Sequence, residues 1–407
     1  MESKIIDKKL KHRKIKDVIS NSFTGLSSFI SAFVLFAIII FVAIRGITNF
    51  DFKMVVSDYY ETPYFAQVYE VEDYNLDKED GGGIYYSKHY GIGLKDDKDF
   101  EGNHCITIRY IDENSPLNSA TYLSDGGLAR FSIGQIVKRI QVSDGVNYKL
   151  LTVKMGAEAM AHELDNWKSI SELYYSTMGG GIRGSLLTTL ILIVATLLLS
   201  MPLGILAAIY LSVYSKNNKI IVVIRSLIDM LSGVPSIIYG LIGVIVFIPF
   251  VSSMTRSSGG SIMSGALTMS IMLLPTIIKT VEESINTIPQ GYKLSSLALG
   301  ASETQTTLKV ILPNALPGIL TSSLLSIGRI IGESAALIFA IGTAIQDRVS
   351  LFDSSTTLAV HIWSVASGQN PNYGMASAIS LIILAIVLLL NVAVKLICKK
   401  LNKFEVK

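Results

Sequence analysis

The chain alternates between long apolar runs and polar segments, and six of the runs are long enough to cross a bilayer. A transmembrane helix needs about 20 apolar residues to cover the hydrocarbon core. The runs occupy residues 26–44, 184–214, roughly 220–250, about 260–281, about 315–345 and about 374–394. This pattern predicts an all-α polytopic membrane protein with six transmembrane helices.

A polar insert, residues 48–183, separates the first apolar run from the second. Strand-like stretches such as HCITIRYI and VNYKLLTVK alternate there with turn-rich pieces such as EDGGG and KDDKD. Residues 156–178 carry a helical pattern. The insert is therefore predicted to be a small α+β domain outside the membrane. Nothing in its pattern identifies a ligand, so a structural cap or a docking surface is favoured.

Basic residues predict the orientation. The first 21 residues hold seven Lys/Arg against three acids, and the tail from Lys395 holds five lysines against one acid. Lys216 and Lys219 lie in the loop between the second and third runs. Cytoplasmic segments carry an excess of such residues, so both termini are predicted to be cytoplasmic. The insert, with 21 acids against 13 Lys/Arg, is then extracytoplasmic.

These patterns divide the chain into five parts. They are a basic N-terminus (1–21), a first span (22–47), the insert (48–183), a membrane domain (184–400) and a tail (401–407). The first span is long and lacks a small-residue cleavage site, so an uncleaved anchor is favoured over a removable signal peptide.

Composition agrees with a membrane protein. Hydrophobic residues make up 50% of the chain and charged residues only 16%, with a mean hydropathy of +0.48, whereas soluble domains are about a quarter charged. Cys105 and Cys398 are predicted on opposite sides of the membrane, so no disulfide between them is expected. The sequence contains no phosphate-binding loop, no nucleophile–base set and no metal-ligand cluster. We therefore expect neither ATP hydrolysis nor any other enzymatic activity from this chain, and no cofactor or metal bound to it.

Residues 282–313 form a polar stretch between the fourth and fifth runs. Helix-forming segments there are interrupted at Pro289, Gly291 and Gly300. Two short helices meeting at Gly300 would project from the membrane as a rigid knob. An ordinary connecting loop is the alternative.

This stretch resembles the coupling loop of ABC importer permeases, in which E-A-A, a glycine and I-x-L-P recur at fixed spacing. Gly300 stands at the glycine of that pattern. Val310, Leu312 and Pro313 stand at I-x-L-P, whereas Leu294, Ser295 and Ser296 replace E-A-A.

Three further segments are similar to the A-type permeases of phosphate-specific ABC importers. They are MPLGILAAIYLSVYS (201–215), SGVPSIIYGLIG (232–243) and GRIIGESAALIFA (328–340). The resemblance covers about 179–400 and implies the ABC importer permease fold in the cell membrane of a prokaryote. It also implies four kinds of partner: a homologous C-type permease, a cytoplasmic ATPase dimer that binds ATP, an extracytoplasmic phosphate-binding protein and the lipid bilayer. It implies no nucleic acid.

Arg329 and Glu333 stand inside an apolar run. On a helix, residues four apart share one face and can touch, and an isolated charge at mid-bilayer costs about 2.5–3.5 kcal/mol on insertion scales. One interpretation is a structural ion pair. The favoured one is a substrate pathway, because a guanidinium presents a fork of donors that suits phosphate oxygens. The R-x-x-G-E-[ST]-A motif of the resembled family also favours it, and Ser334 could add a hydroxyl donor.

Other polar positions have plainer predicted roles. Arg225 and Asp229 repeat the four-residue spacing near the start of the third run and are predicted to form an interfacial ion pair. His361 lies in a short apolar segment, predicted to be re-entrant or interfacial, and is expected to pack rather than to bind a ligand. Kinks are predicted at Pro202, Pro235 and Pro275.

Two alternatives to phosphate transport stay open. Permeases for sulfate, molybdate or phosphonate share the coupling loop but generally lack the R-x-x-G-E-[ST]-A motif. A membrane-anchored sensor could instead use the insert as its working part. Such a sensor would need a cytoplasmic output, and the longest internal cytoplasmic piece predicted here is the loop of about 30 residues, which argues against it.

Overall fold

The computed structural model describes residues 2–69, 74–215, 218–255, 257, 259–368 and 371–401. Residues 2–13, 15 and 398–401 are described by their backbone only. Lys216, the side chain of Cys398 and the tail from residue 402 onward therefore lie outside what is described.

Helices dominate the chain on either side of a β-rich region. In chain order they are α1 (Glu2–Asn49), α2 (Phe52–Val56), α3 (Ala157–Leu164), α4 (Arg183–Ile209), α5 (Lys219–Ser232), α6 (Ser236–Ile242), α7 (Ile248–Met254), α8 (Ile262–Asn286), α9 (Gln290–Ala298), α10 (Glu303–Thr306), α11 (Leu312–Asn314), α12 (Leu316–Gly332), α13 (Ala335–Ala340), α14 (Leu358–Ser367) and α15 (Tyr373–Leu401). Single π-helical turns extend α4 (Tyr210–Tyr214), join α6 to α7 (Gly243–Phe247) and join α10 to α11 (Thr307–Ile311).

Five helical segments within the described residues are long and apolar enough to cross a membrane. They are Lys16–Asn49, Arg183–Tyr214, Ser236–Met254, Ile262–Asn286 and Tyr373–Ile397. The helices Glu303–Asn314 and Leu316–Gly332, bent by 61° at their junction, provide a sixth if the pair counts as one span. The chain is thus a multi-pass helical membrane protein, and the count of six spans stays a prediction.

The helical bundle is built around α4 and α8, which run parallel. Ser270 Oγ on α8 donates to the carbonyl of Thr196 on α4 at 3.3 Å. Further along both helices, a Cβ added at Gly204 would lie 2.4 Å from Cγ2 of Ile277. Small residues let membrane helices approach closely, and this packing replaces the hydrophobic driving force that lipid does not supply.

The β-rich region forms a separate antiparallel sheet. Its strands are β1 (Pro63–Val68), β2 (Tyr85–Ser87), β3 (Ile92–Lys98), β4 (His104–Ile111), β5 (Thr121–Tyr122), β6 (Ile136–Ser143), β7 (Tyr148–Thr152) and β8 (Ser169–Ser176). The strand order is β2-β3-β4-β6-β8-β1-β5, and β7 also pairs with β6. We call residues 63–176 the sheet domain.

The sheet domain has a hydrophobic core of its own. Ile106, Ile140 and Leu173 from the sheet and Met160 from α3 are at most 1% exposed. Burying such a side chain contributes about 1.5–3 kcal/mol relative to leaving it in water. This core explains how a polar, acidic insert forms a compact domain beside an apolar bundle.

The sheet domain and the loop after α8 lie at opposite ends of the bundle. The sheet domain leads into the first residue of α4, and α4 and α8 run in the same direction. At the far end, Ser212 Oγ just beyond α4 contacts Asn286 Oδ1, in the last residue of α8, at 2.5 Å. We refer to these as the sheet-domain end and the opposite end.

The predicted third span, roughly 220–250, is wrong in its first half. The helix α5 ends at Ser232, and the apolar span begins at Ser236. Pro235 has an extended ψ of 139° and stands at the N-cap of α6. Since proline has no backbone N–H to continue a helix, it separates two helices here and does not kink one. Pro202 and Pro275, by contrast, lie inside α4 and α8.

The helix predicted over 156–178 is also wrong in its second half. The helix α3 ends at Leu164, and Ser169–Ser176 form β8, which pairs with both β6 and β1. Pairing on both edges stabilises the strand and overrides the local helical pattern. The strand expected at HCITIRYI is confirmed as β4.

Candidate functional site

The segment after α8 folds as a compact projection, which we call the knob (residues 287–314). Its helices α9 and α10 meet at Gly300, whose φ of +88° turns the chain between them. Ser296 Oγ and Thr306 Oγ1 lie 2.9 Å apart and join the two helices. The Ser302 hydroxyl accepts from the Gln305 backbone N–H at 3.2 Å and caps α10. The predicted pair of short helices is therefore present, although α8 continues to Asn286 and the predicted start at residue 282 is too early.

The knob contains all seven residues predicted to couple this chain to an ATPase. Leu294, Ser295 and Ser296 lie on α9, Gly300 follows it, Val310 lies in the turn before α11, and Leu312 and Pro313 belong to α11. Leu294 and Ile311 line one cavity of about 350 Å³ between the knob and the end of α8.

The tip of the knob is apolar and open. Leu299 is 90% exposed and Leu294 is 64% exposed, and an atom added as Cβ at Gly300 would meet nothing within 4 Å. This exposed apolar surface was not identified from the sequence, although Leu299, directly before the motif glycine, could have indicated it.

The fifth apolar run is interrupted at the charged motif. The helix α12 ends at Gly332, Glu333 adopts an extended ψ of 127°, and α13 starts at Ala335. The predicted continuous span over about 315–345 is therefore wrong. Glu333 Oε1 accepts from the Ala336 backbone N–H at 3.2 Å, so this carboxylate caps the first turn of α13.

Arg329 and Glu333 consequently do not share a helix face. Within the described residues no ion pair joins them, and Arg329 Nη1 donates instead to Thr276 Oγ1 on α8 at 3.3 Å. The expected contact fails because the chain leaves the helix between the two residues. Ser334 is half-buried in the break, and its carbonyl accepts from the Ile338 N–H.

The break changes how the two charges are stabilised. Arg329 lies in the last turn of α12, where carbonyl groups carry negative partial charge, and Glu333 lies at the start of α13, where N–H groups carry positive partial charge. Each arrangement contributes about 0.3–1 kcal/mol at exposed sites. The guanidinium is half-buried, and within the described part of the chain its one hydrogen bond goes to a neutral hydroxyl. Its other N–H donors form no hydrogen bond or ion pair within the described residues.

A second charged group lies near the opposite end of the bundle. Arg225 on α5 pairs with Glu282 on α8 at 2.7 Å, and Asp229 pairs with Lys279 at the same distance. The predicted pair between Arg225 and Asp229 is thus wrong, because both side chains reach α8. Lys279 and Glu282, a base and an acid three residues apart on α8, could have indicated this pairing between helices.

His361 lies on α14 and is fully buried. Its Nδ1 is 2.8 Å from Ser185 Oγ at the start of α4, and its ring lies edge-on to that of Tyr59, with 5.1 Å between centroids. It packs between segments, as expected for this position. The described residues contain no group of His, Cys, Asp or Glu arranged to hold a metal ion.

Comparisons with known proteins agree with this architecture. Residues 200–403, half of the chain, match the family model described as "Binding-protein-dependent transport system inner membrane component". A probable ABC transporter permease protein of Bacillus subtilis, YqgI, is 34% identical over 243 residues, which cover 55% of this chain and 81% of that protein. The phosphate transport system permease protein PstA of Pasteurella multocida is 31% identical over 235 residues, 56% of this chain and 81% of that protein.

Among solved structures, an inward-facing form of the MetNI methionine ABC transporter is similar with a TM-score of 0.45 and 21% identity, covering 54% of this chain and 95% of that one. The family match over half of the chain carries the assignment. This chain belongs to the family of binding-protein-dependent transport system inner membrane components, the membrane-spanning permease subunits of ABC importers.

Proposed function

We propose that this chain is the A-type permease subunit of an ATP-driven importer of inorganic phosphate. It forms the translocation pathway together with a homologous C-type permease. The knob docks on a cytoplasmic ATPase dimer, which binds and hydrolyses ATP. An extracytoplasmic phosphate-binding protein delivers the cargo at the sheet-domain end, and both termini of the chain lie in the cytoplasm.

The observation that carries this proposal is that, in the described part of the chain, the charge of Arg329 is not neutralised by a neighbouring carboxylate. Its guanidinium forms no ion pair with a carboxylate of the described residues and sits at the end of a broken apolar helix. A guanidinium fork matches the oxygens of phosphate in geometry and charge. Permeation also requires that the anion leave again, and the nearby carboxylate of Glu333 limits how strongly the site holds it. The name of the Pasteurella relative supports the same cargo.

The knob supports the ATPase partner. It presents exposed Leu294 and Leu299 at the end of α8, the long helix that runs through the bundle. Apolar side chains at the tip of a polar projection indicate a surface that another protein covers. Movement of the knob then moves α8 as a rigid body, and α8 carries Thr276, the hydrogen-bond partner of Arg329.

The complex and its cargo can be tested together. Affinity purification of this chain from native membranes should recover a second permease and an ATPase. Reconstituted into vesicles with the binding protein, the complex should take up labelled phosphate, and excess sulfate, molybdate or phosphonate should not compete. Recovery of this chain alone would contradict the importer. Failure to take up labelled phosphate would contradict phosphate as the cargo, and uptake blocked by one of the other anions would contradict selectivity for phosphate.

The role of Arg329 can be tested by substitution. Arg329→Ala should lower phosphate uptake by about ten- to a hundredfold, since hydrogen bonds to charged groups contribute about 1.5–3 kcal/mol. Assembly should stay intact, because among the described residues the side chain forms a single hydrogen bond, at 3.3 Å. Arg329→Lys keeps the charge without the fork and should be intermediate. Arg130→Ala, which removes an exposed arginine of the sheet domain, is the control. Normal uptake by Arg329→Ala would refute the pathway role.

A further inference from the structure

The chain passes between bundle and sheet domain twice, and the two passages form one joint, which we call the neck (residues 51–62 and 177–183). Backbone N–H groups of the second passage donate to carbonyls of the first, Gly180 to Tyr59 at 2.8 Å and Gly181 to Asp58 at 2.9 Å. A Cβ added at Gly181 would lie 1.9 Å from the carbonyl oxygen of Ser57. Such close backbone pairing makes the neck a defined structure and not a flexible linker.

The neck is held by the loop that follows the broken span. This loop, residues 341–357, contains Asp347, whose Oδ1 accepts from the Tyr59 N–H at 2.6 Å and whose Oδ2 accepts from the Tyr60 N–H at 3.0 Å. Both carboxylate oxygens therefore bind consecutive backbone amides of the neck. The preceding residue also contacts the bundle, since a Cβ added at Gly184 would lie 1.9 Å from the carbonyl oxygen of Gln346.

Two further contacts stabilise the connection between the sheet domain and the bundle. Within the neck, Arg183, which is also the first residue of α4, pairs with Asp58 at 2.5 Å. Asn372, just before α15, donates its side-chain amide to the carbonyl of Phe100 in the sheet domain at 2.6 Å. The Asp347 carboxylate binds backbone amides of the neck from the loop 341–357, which is directly continuous with α13 and the break at Glu333.

We propose that Asp347 is a positioning residue that makes the sheet domain move as one body with the segment following the Glu333 break. This inference rests on the proposed importer function, and it adds that this segment shifts as the pathway opens and closes. The segment after Glu333 then has one position in the open pathway and another in the closed pathway. A partner that binds the sheet domain more tightly in one of these two conformations favours that conformation, because a ligand shifts an equilibrium by its differential affinity for the two states.

The mechanical part can be measured by the distance between two spin labels. One label replaces Val146, an 83% exposed residue of the sheet domain, and the other replaces Phe352, 39% exposed in the loop 341–357. Cys398→Ser removes a background thiol, and Cys105 is buried. The complex with native Asp347 should give one narrow distance distribution for each transport state. Asp347→Ala should broaden it, because hydrogen bonds to a charged group each stabilise by a factor of about ten or more.

The functional part uses the same variants in the complete complex. Asp347→Ala should reduce uptake and the stimulation of ATP hydrolysis by the binding protein about tenfold or more, and should leave basal ATP hydrolysis unchanged. Asp347→Asn keeps one acceptor oxygen and should restore part of both. Asp353→Ala removes an exposed acid from the same loop and should match the wild type.

Two results would overturn the proposal. One is a distance distribution in Asp347→Ala as narrow as that of the wild type. The other is a broadened distribution with full uptake and full stimulation, which would make the contact a passive attachment. A wild-type complex that imports another anion would reject phosphate as cargo but would leave the distance measurement unchanged.

Discussion

The bend of the knob at Gly300 provides a sharp test of how this chain couples to its ATPase. We consider Gly300→Ala beside Gly291→Ala, the same chemical change at two glycines of one projection. Neither added methyl group meets an atom within 4 Å. Steric repulsion is therefore excluded at both positions, and only the backbone conformation distinguishes them.

The two changes should act in opposite directions. Gly300 has a φ of +88°, and an L-residue in the left-handed region costs about 1–2 kcal/mol. Gly291 lies within α9, where alanine is favoured over glycine by about 0.8–1 kcal/mol. If the ATPase binds the bent knob, Gly300→Ala should weaken its binding by about five- to thirtyfold, at about 1.4 kcal/mol per factor of ten. Gly291→Ala should bind as tightly as the wild type or more tightly.

The assay is equilibrium binding of the purified ATPase partner to this chain in nanodiscs. Thermal unfolding of each variant checks that the bundle itself is unaffected. Equal affinity of Gly300→Ala and the wild type would refute the reasoning. So would equal weakening by both variants, because the effect would then come from the lost flexibility of glycine and not from the bend.

Two further outcomes are expected. Glu333→Gln, which keeps an oxygen to accept from the Ala336 N–H, should unfold at nearly the wild-type temperature, whereas Glu333→Ala should lose about 1 kcal/mol as other helix caps do; equal destabilisation by both would show that the charge and not the cap matters. Burial, aided by the nearby carboxylates of Asp97 and Asp99, raises the pKa of Cys105 to about 11, so at pH 8 its thiol should resist iodoacetamide until the sheet domain unfolds. Labelling at the same rate before and after unfolding would contradict this protected site.

Long-range apolar patterns gave a reliable prediction of the helical bundle. A run of about 20 apolar residues has few alternatives to a membrane helix, and four of the predicted runs correspond closely to single helical spans. The third and fifth runs were less predictable because tertiary contacts divide them. At Glu333 the chain leaves the helix to cap α13, and the local letters G-E-S-A do not reveal that choice.

Side-chain partners were harder to predict than helices. Charges four residues apart suggested pairs along one helix, yet Arg225 reaches Glu282 and Arg329 reaches Thr276 on a neighbouring helix. Which helix lies beside which depends on the packing of the whole bundle, and the spacing of residues along one helix cannot encode it. For the same reason Asp347 carried no signal in the sequence, since its partners are backbone amides of residues far away in the chain.

Thr62 and Thr177, the two residues that flank the sheet domain, contact each other. The Thr62 N–H donates to Thr177 Oγ1 at 2.9 Å, and the Thr177 N–H donates to the Thr62 carbonyl at 3.1 Å. A module whose entry and exit touch can be gained, lost or exchanged between genes without stretching its host, because closing a short gap costs little chain entropy. Because it has a hydrophobic core of its own and domains generally fold as units during synthesis, we expect it to fold before the later helices are complete.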